Sequence, residues 1–82
     1  MKAGETIFVW GTNGMNWIGR VAAVQPFSVT LEEASWVAES GRLGQFMATG
    51  RSEHMELERV GRVTVQWTAW APWPHKLPEK SV

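Results

Sequence analysis

The dipeptide Asn13-Gly14, set between TIFVW (Thr6–Trp10) and WIGRVAAV (Trp17–Val24), constrains this chain more than any other feature. Both residues accept the positive φ that tight antiparallel reversals require, so the two apolar runs are predicted to pair as a β-hairpin. Alternation in the second run places Ile18, Arg20, Ala22 and Val24 on one face, and Trp17, Gly19, Val21 and Ala23 on the other. Pro26 interrupts, because it has no N–H to give to a ladder. FSVTLEEA (Phe27–Ala34) then alternates Phe27, Val29 and Leu31 against Ser28, Thr30 and Glu32, which makes it the third strand of a meander.

The period changes after that strand. Leu43, Phe46 and Met47 fall at i, i+3 and i+4, and Gly50 stands where a helix-ending glycine belongs. A short helix is predicted at 42–49, with Trp36-Val37 completing the third strand or bending before it. Two turns do not persist alone in water, so the Leu-Phe-Met face must pack on the sheet. HMELERV (His54–Val60) and RVTVQWTAW (Arg62–Trp70) read as fourth and fifth strands that reverse at Gly61. In the last of these, Val63, Val65 and Trp67 share a core face, whereas Thr64, Gln66, Thr68 and Trp70 face solvent or a partner.

APWPHKLP carries prolines at 72, 74 and 78, and is predicted to be an extended arm. It has no hydrogen bonds of its own and must dock through Trp73 and Leu77, on its own barrel or on a neighbouring subunit. EKSV at the end is expected to fray. The expected architecture is mainly β: a small five-stranded barrel of the SH3-like or Sm-like kind over 1–71, with one short helix, and an arm over 72–82.

A chain of 82 residues makes one small domain. It buries only ~60% of the surface its unfolded form exposes, so disulfides, a metal or oligomerisation usually assist. There is no cysteine, and His54 and His75 lack the spacing of a ligand pair, so no metal or cofactor is expected and homo-oligomerisation is the remaining route. Formal charge is zero, which gives no field to attract duplex DNA. No apolar run is long enough for a signal peptide or a membrane helix, so a cytoplasmic protein with no membrane partner is expected.

Catalytic groups are sparse. The chain has no cysteine, aspartate or tyrosine, and its acids are eight glutamates. Glu32 and Glu33 are adjacent, so on a strand they point to opposite faces instead of forming a dyad. Ser52 with His54 is the only local nucleophile–base pair, and it lacks an orienting third group. No catalytic residue is assigned, and the chain is not expected to be an enzyme.

The six tryptophans and five arginines carry the functional signal. Each tryptophan offers up to ~250 Å² for burial, and six exceed what so small a core is expected to hold. Trp10, Trp17 and Trp67 are assigned to structure; Trp36, Trp70 and Trp73 are left for a pocket or an interface. Aromatic rings and arginines are enriched at binding hot spots, and together they stack bases and hold phosphates.

Two resemblances follow from the motifs. LEEASWVAESGRLGQFMATG together with WPHKLP looks like a family of small uncharacterised bacteriophage and prophage proteins, over roughly residues 17–78. Its marks are Leu-Glu-acidic-Ala-x-Trp-hydrophobic-Ala, a Gly-Arg-Leu step, a Thr-Gly stop and a Trp-Pro-His-x-Leu-Pro tail. GRVAAVQPFSVTLEEA with the later VGRVTVQ is similar to the Sm-like pattern. The Sm-like resemblance implies a ring of subunits and RNA contacts at Gln25–Ser28 and at Gly61-Arg62. The phage resemblance implies a non-catalytic accessory protein of the host cytoplasm, of the kind that counters bacterial immunity by sequestering a nucleotide-type signal. On that reading Trp36, Trp70 or Trp73 stacks the base and Arg42, Arg51 or Arg62 meets the phosphates, while Trp70, Trp73, His75 and Leu77 latch neighbouring subunits. The alternatives are an Sm-like RNA-binding ring, a host-protein partner, and a phage assembly component with no small ligand.

Overall fold

Four strands and one helix follow one another in the computed structural model, which describes residues 1–82: β1 (Thr6–Gly11), β2 (Asn16–Val24), β3 (Ser28–Glu39), α1 (Leu43–Thr49) and β4 (Glu56–Pro72). Every pairing is antiparallel. β1 pairs with β2, β2 with β3 and β3 with β4, and β4 returns to β1, so the sheet forms a ring.

The predicted hairpin forms, with different turn chemistry. Only Gly14 takes positive φ; Asn13 instead accepts a hydrogen bond from the Met15 N–H through its side-chain oxygen at 3.0 Å. The expected reversal at Gly61 does not occur, and the expected fourth and fifth strands are one element. The first part of β4 pairs with β3, from Glu39↔Glu56 to Ser28↔Gln66, and its last part pairs with β1, from Gly11↔Trp67 to Ile7↔Pro72. Gly61 lies opposite Ala34 at φ 85°, where β3 carries one residue more than β4 between paired positions; Glu33, in the excess, sits at φ 50°. An unpaired residue of this kind bends and twists a strand. The glycine thus serves the curvature of the sheet and not a turn.

A second irregularity lies where β4 meets β1. Trp10 pairs with Ala69 but Gly11 pairs with Trp67, which leaves Thr68 as the extra residue, its hydroxyl donating to the Trp10 carbonyl at 3.3 Å. One added residue inverts the alternation beyond it. Trp70 therefore returns to the same face as Trp67 and packs on the first core, against the sequence expectation of a solvent or partner face. Trp73, three residues further with no bulge between, falls on the opposite face.

There are two cores, one on each face of the sheet. Ile7, Val9, Trp17, Val21, Val29, Leu31 and Ala34 form the first, lined also by Val63, Val65, Trp67, Trp36 and Trp70. Phe8, Ile18, Val37, Leu57, Phe46 and Trp73 form the second, where α1 and the arm cover the sheet. The rings of Phe8, Phe46 and Trp73 contact one another, with the Phe46 and Trp73 centroids 4.9 Å apart. Of the helix face read from sequence, Phe46 is buried and Met47 half-buried, but Leu43 is 42% exposed. Gly50 ends the helix as expected, at φ 80° with its N–H on the Phe46 carbonyl.

The arm docks on its own chain. The Trp73 N–H donates to the Thr6 carbonyl at 2.9 Å, extending the β1–β4 ladder, and the residue is only 3% exposed. Nor is the last segment frayed. Val82 exchanges two backbone hydrogen bonds with Leu57, and Ser81 accepts from the Arg59 N–H.

Candidate functional site

The residues assigned from sequence to a shared pocket are dispersed over one chain. Trp36 and Trp70 are half-buried against the first core. Arg62 is held by Glu32 at 2.7 Å, as Arg20 is by Glu33. Arg42 and Arg51 make no ion pair. They bracket α1, roughly 13 Å apart by helical rise. The two Sm-like positions are also separate. Ser28 faces Gln66, and Gly61-Arg62 lies four to five residues back along β4, roughly 16 Å away for the glycine. Ser52 donates to the Ser40 carbonyl and not to His54, which stands in an exposed turn.

Three assigned residues do come together. Arg51, His75 and Leu77 line a groove of about 580 Å³ between the end of α1, the start of β4 and the arm. Its apolar floor is Met55, Leu57, Leu77 and Pro78, and its rim carries Arg51, Lys76 and Lys80 with Glu79 as the one acidic side chain. Lys76 pairs with Glu79 at 3.0 Å, both well exposed, a contact that water screens heavily. Arg51 and Lys80 make no ion pair within the chain. Ligand pockets of small molecules run from about 300 to about 1,000 Å³, so the space suffices for a nucleotide-sized anion.

The groove wall is rigid for local reasons. His75 Nε2 lies 2.8 Å from the Met47 carbonyl, which can only accept, so that nitrogen carries the hydrogen. The imidazole meets the Trp73 ring edge-on at 4.9 Å. Gly50 makes room for it, since a Cβ there would lie 2.9 Å from His75 Cγ. Arg59 ties down the arm by donating to the Pro78 carbonyl at 2.6 Å. The arm residues assigned to a subunit latch thus act within the chain: Trp73 is core, and His75 and Leu77 are groove wall. Lys76 and Lys80 were absent from the sequence-based set because nothing in their local pattern places the tail beside Arg51.

Phe27 was also misplaced by the sequence. Strand alternation put it on one face of the third strand with Val29 and Leu31, but it lies in the β2–β3 turn and is 83% exposed, whereas those two are buried. Pro26 immediately before it was the available signal, because β3 begins only after the turn that this proline helps to make. No family model matches this sequence, and no curated protein matches it. No helix is long and apolar enough to cross a membrane.

Proposed function

We propose that this chain is a non-catalytic binding module whose ligand is a nucleotide-type anion held in the groove between α1 and the arm. The observation that carries the reading is the groove itself, in which Arg51 and Lys80, free of ion pairs, stand over an apolar floor. Charged hydrogen bonds of guanidinium or ammonium to phosphate contribute about 1.5–3 kcal/mol each, and the floor adds apolar contact. The only ring lining the groove is His75, so a base stacks there on imidazole and not on tryptophan. In keeping with the phage-family resemblance, the module is read as an accessory protein that sequesters its ligand, assembled as a homo-oligomer on a small barrel.

Titration calorimetry with mononucleotides, cyclic dinucleotides and uncharged nucleosides tests this. Phosphate-bearing ligands should bind with micromolar or tighter affinity and nucleosides should not. Arg51→Ala combined with Lys80→Ala should weaken binding about 100-fold or more with no change in unfolding midpoint. The ligand should be recovered unaltered after denaturation. Turnover of the ligand, or no binding by any nucleotide at millimolar concentration, overturns the reading.

A further inference from the structure

All sixteen charged side chains lie outside three segments, Thr6–Gly19, Val21–Leu31 and Val63–Pro74. The fold brings the end of β1, the β2–β3 turn and the middle of β4 together. Val24 pairs with Val29, Ser28 with Gln66 and Gly11 with Trp67, and the Thr12 N–H donates to the Gln66 carbonyl. Within these uncharged segments Val24, where β2 enters the turn, is 48% exposed, and Phe27 of that turn projects at 83% exposure. Next to it lies a cleft of about 500 Å³ lined by Thr12, Pro26, Gln66, Trp67 and Phe27 itself.

The turn that carries the ring is tied down. The Ser28 hydroxyl donates to the Gln25 side-chain oxygen at 3.1 Å, and the Gln25 amide reaches Thr30, which bonds Thr64 across the β3–β4 pair at 2.8 Å. The Gln25 N–H donates to the Ser28 carbonyl and closes the turn. A preorganised aromatic anchor loses little freedom on binding, which makes it an effective contact.

We propose that a second copy of this chain docks here, Phe27 of each copy entering the cleft beside Phe27 of the other about a twofold axis. Two observations select this occupant. In a twofold contact a patch meets itself, so a knob must have its own hole as a neighbour on the same surface, and Phe27 and the cleft stand in that relation. Any charge near such an axis meets its own image, and none of the residues that form the knob and the cleft is charged. A phosphate-bearing partner finds no cation here. The contact lies on residues distinct from the α1–arm groove and does not depend on that groove binding anything.

Sedimentation equilibrium of the intact chain from about 5 to about 500 µM tests the proposal, a span that covers weak, transient association. The native chain should pass from monomer to dimer over that span. Phe27→Glu and Phe27→Ser should remain monomeric with an unchanged unfolding midpoint, as the ring is outside both cores. Gln66→Arg should also be monomeric alone, and mixing it with Phe27→Glu should restore a dimer, because the new Glu then meets the new Arg while a native ring enters a cleft changed only at position 27. A native chain that stays monomeric throughout, Phe27 variants that still dimerise, or a mixture that does not recover, overturns the proposal. In the first case the exposed ring serves a partner of other chemistry, such as a host protein or a neutral glycan.

Discussion

Trp67, Trp70 and Trp73 recur every three residues, a spacing that fits neither strand nor helix, and the chain resolves it with one extra residue. Thr68 bulges, which returns Trp70 to the face of Trp67, and the undisturbed step to Trp73 crosses the sheet. Strand alternation was legible in Val63, Val65 and Trp67, but a bulge leaves no mark in local composition, so the face assigned to Trp70, just beyond Thr68, inverted. The energetic consequence is specific. Replacing a buried tryptophan by alanine costs about 3–5 kcal/mol, comparable with the whole stability of a small domain, about 5–15 kcal/mol. Trp73→Ala should therefore shift the urea midpoint far more than Trp70→Ala, whose ring is only half-buried. Two glycines at the helix give a contrast of sign. Gly50 is left-handed and abuts His75, so Gly50→Ala should destabilise by about 1–3 kcal/mol from backbone strain and the displaced imidazole. Gly44 lies inside α1 with no atom within 4 Å of an added Cβ, so Gly44→Ala should stabilise by about 0.5–1 kcal/mol. Thermal unfolding of the two variants checks both signs.

Among the elements, those fixed by short-range chemistry were readable and those fixed by long-range pairing were not. Asn13-Gly14 marked the first turn and Gly50 the end of the helix, because each acts on the backbone within a residue or two of itself. Gly61 was misread as a reversal because its positive φ suits a turn and a strand corner equally; only the excess residue at Glu33, on a strand nearly 30 positions earlier, distinguishes them. The groove was unreadable for the same reason, as it joins Arg51 to Lys76 and Lys80 through the docking of the arm. That docking separates two truncations. A chain ending at Pro78 keeps Trp73, Leu77 and the Pro78 carbonyl on Arg59, and loses only the exposed Lys76–Glu79 pair and the Val82 and Ser81 bonds. It should fold with about 1–2 kcal/mol less stability. A chain ending at Ala71 opens the second core, and α1, only seven residues long, cannot hold alone. Hydrogen exchange should show the α1 amides protected in the first truncation and unprotected in the second.

For the whole molecule, the decisive event is closure of the ring. The β1–β2 and β2–β3 pairings join residues near in sequence, such as Val21 and Leu31, whereas β1 and β4 pair Ile7 with Pro72. Loop closure over so long a span costs entropy that only the completed seam repays, so the seam should form last and folding should take milliseconds to seconds. Two substitutions separate the stages. Val21 is buried in the first core and lies in the β2–β3 meander, so Val21→Ala should slow folding. Trp70 pairs only with Val9 across the seam, so Trp70→Ala should leave the folding rate nearly unchanged and accelerate unfolding instead. Stopped-flow fluorescence in urea reads both arms, with the remaining tryptophans as the probe. The ratio of the kinetic to the equilibrium change should lie near or above ~0.5 for Val21→Ala and below ~0.3 for Trp70→Ala. The reverse ranking would place seam closure before the meander, and the ring would then assemble from its ends.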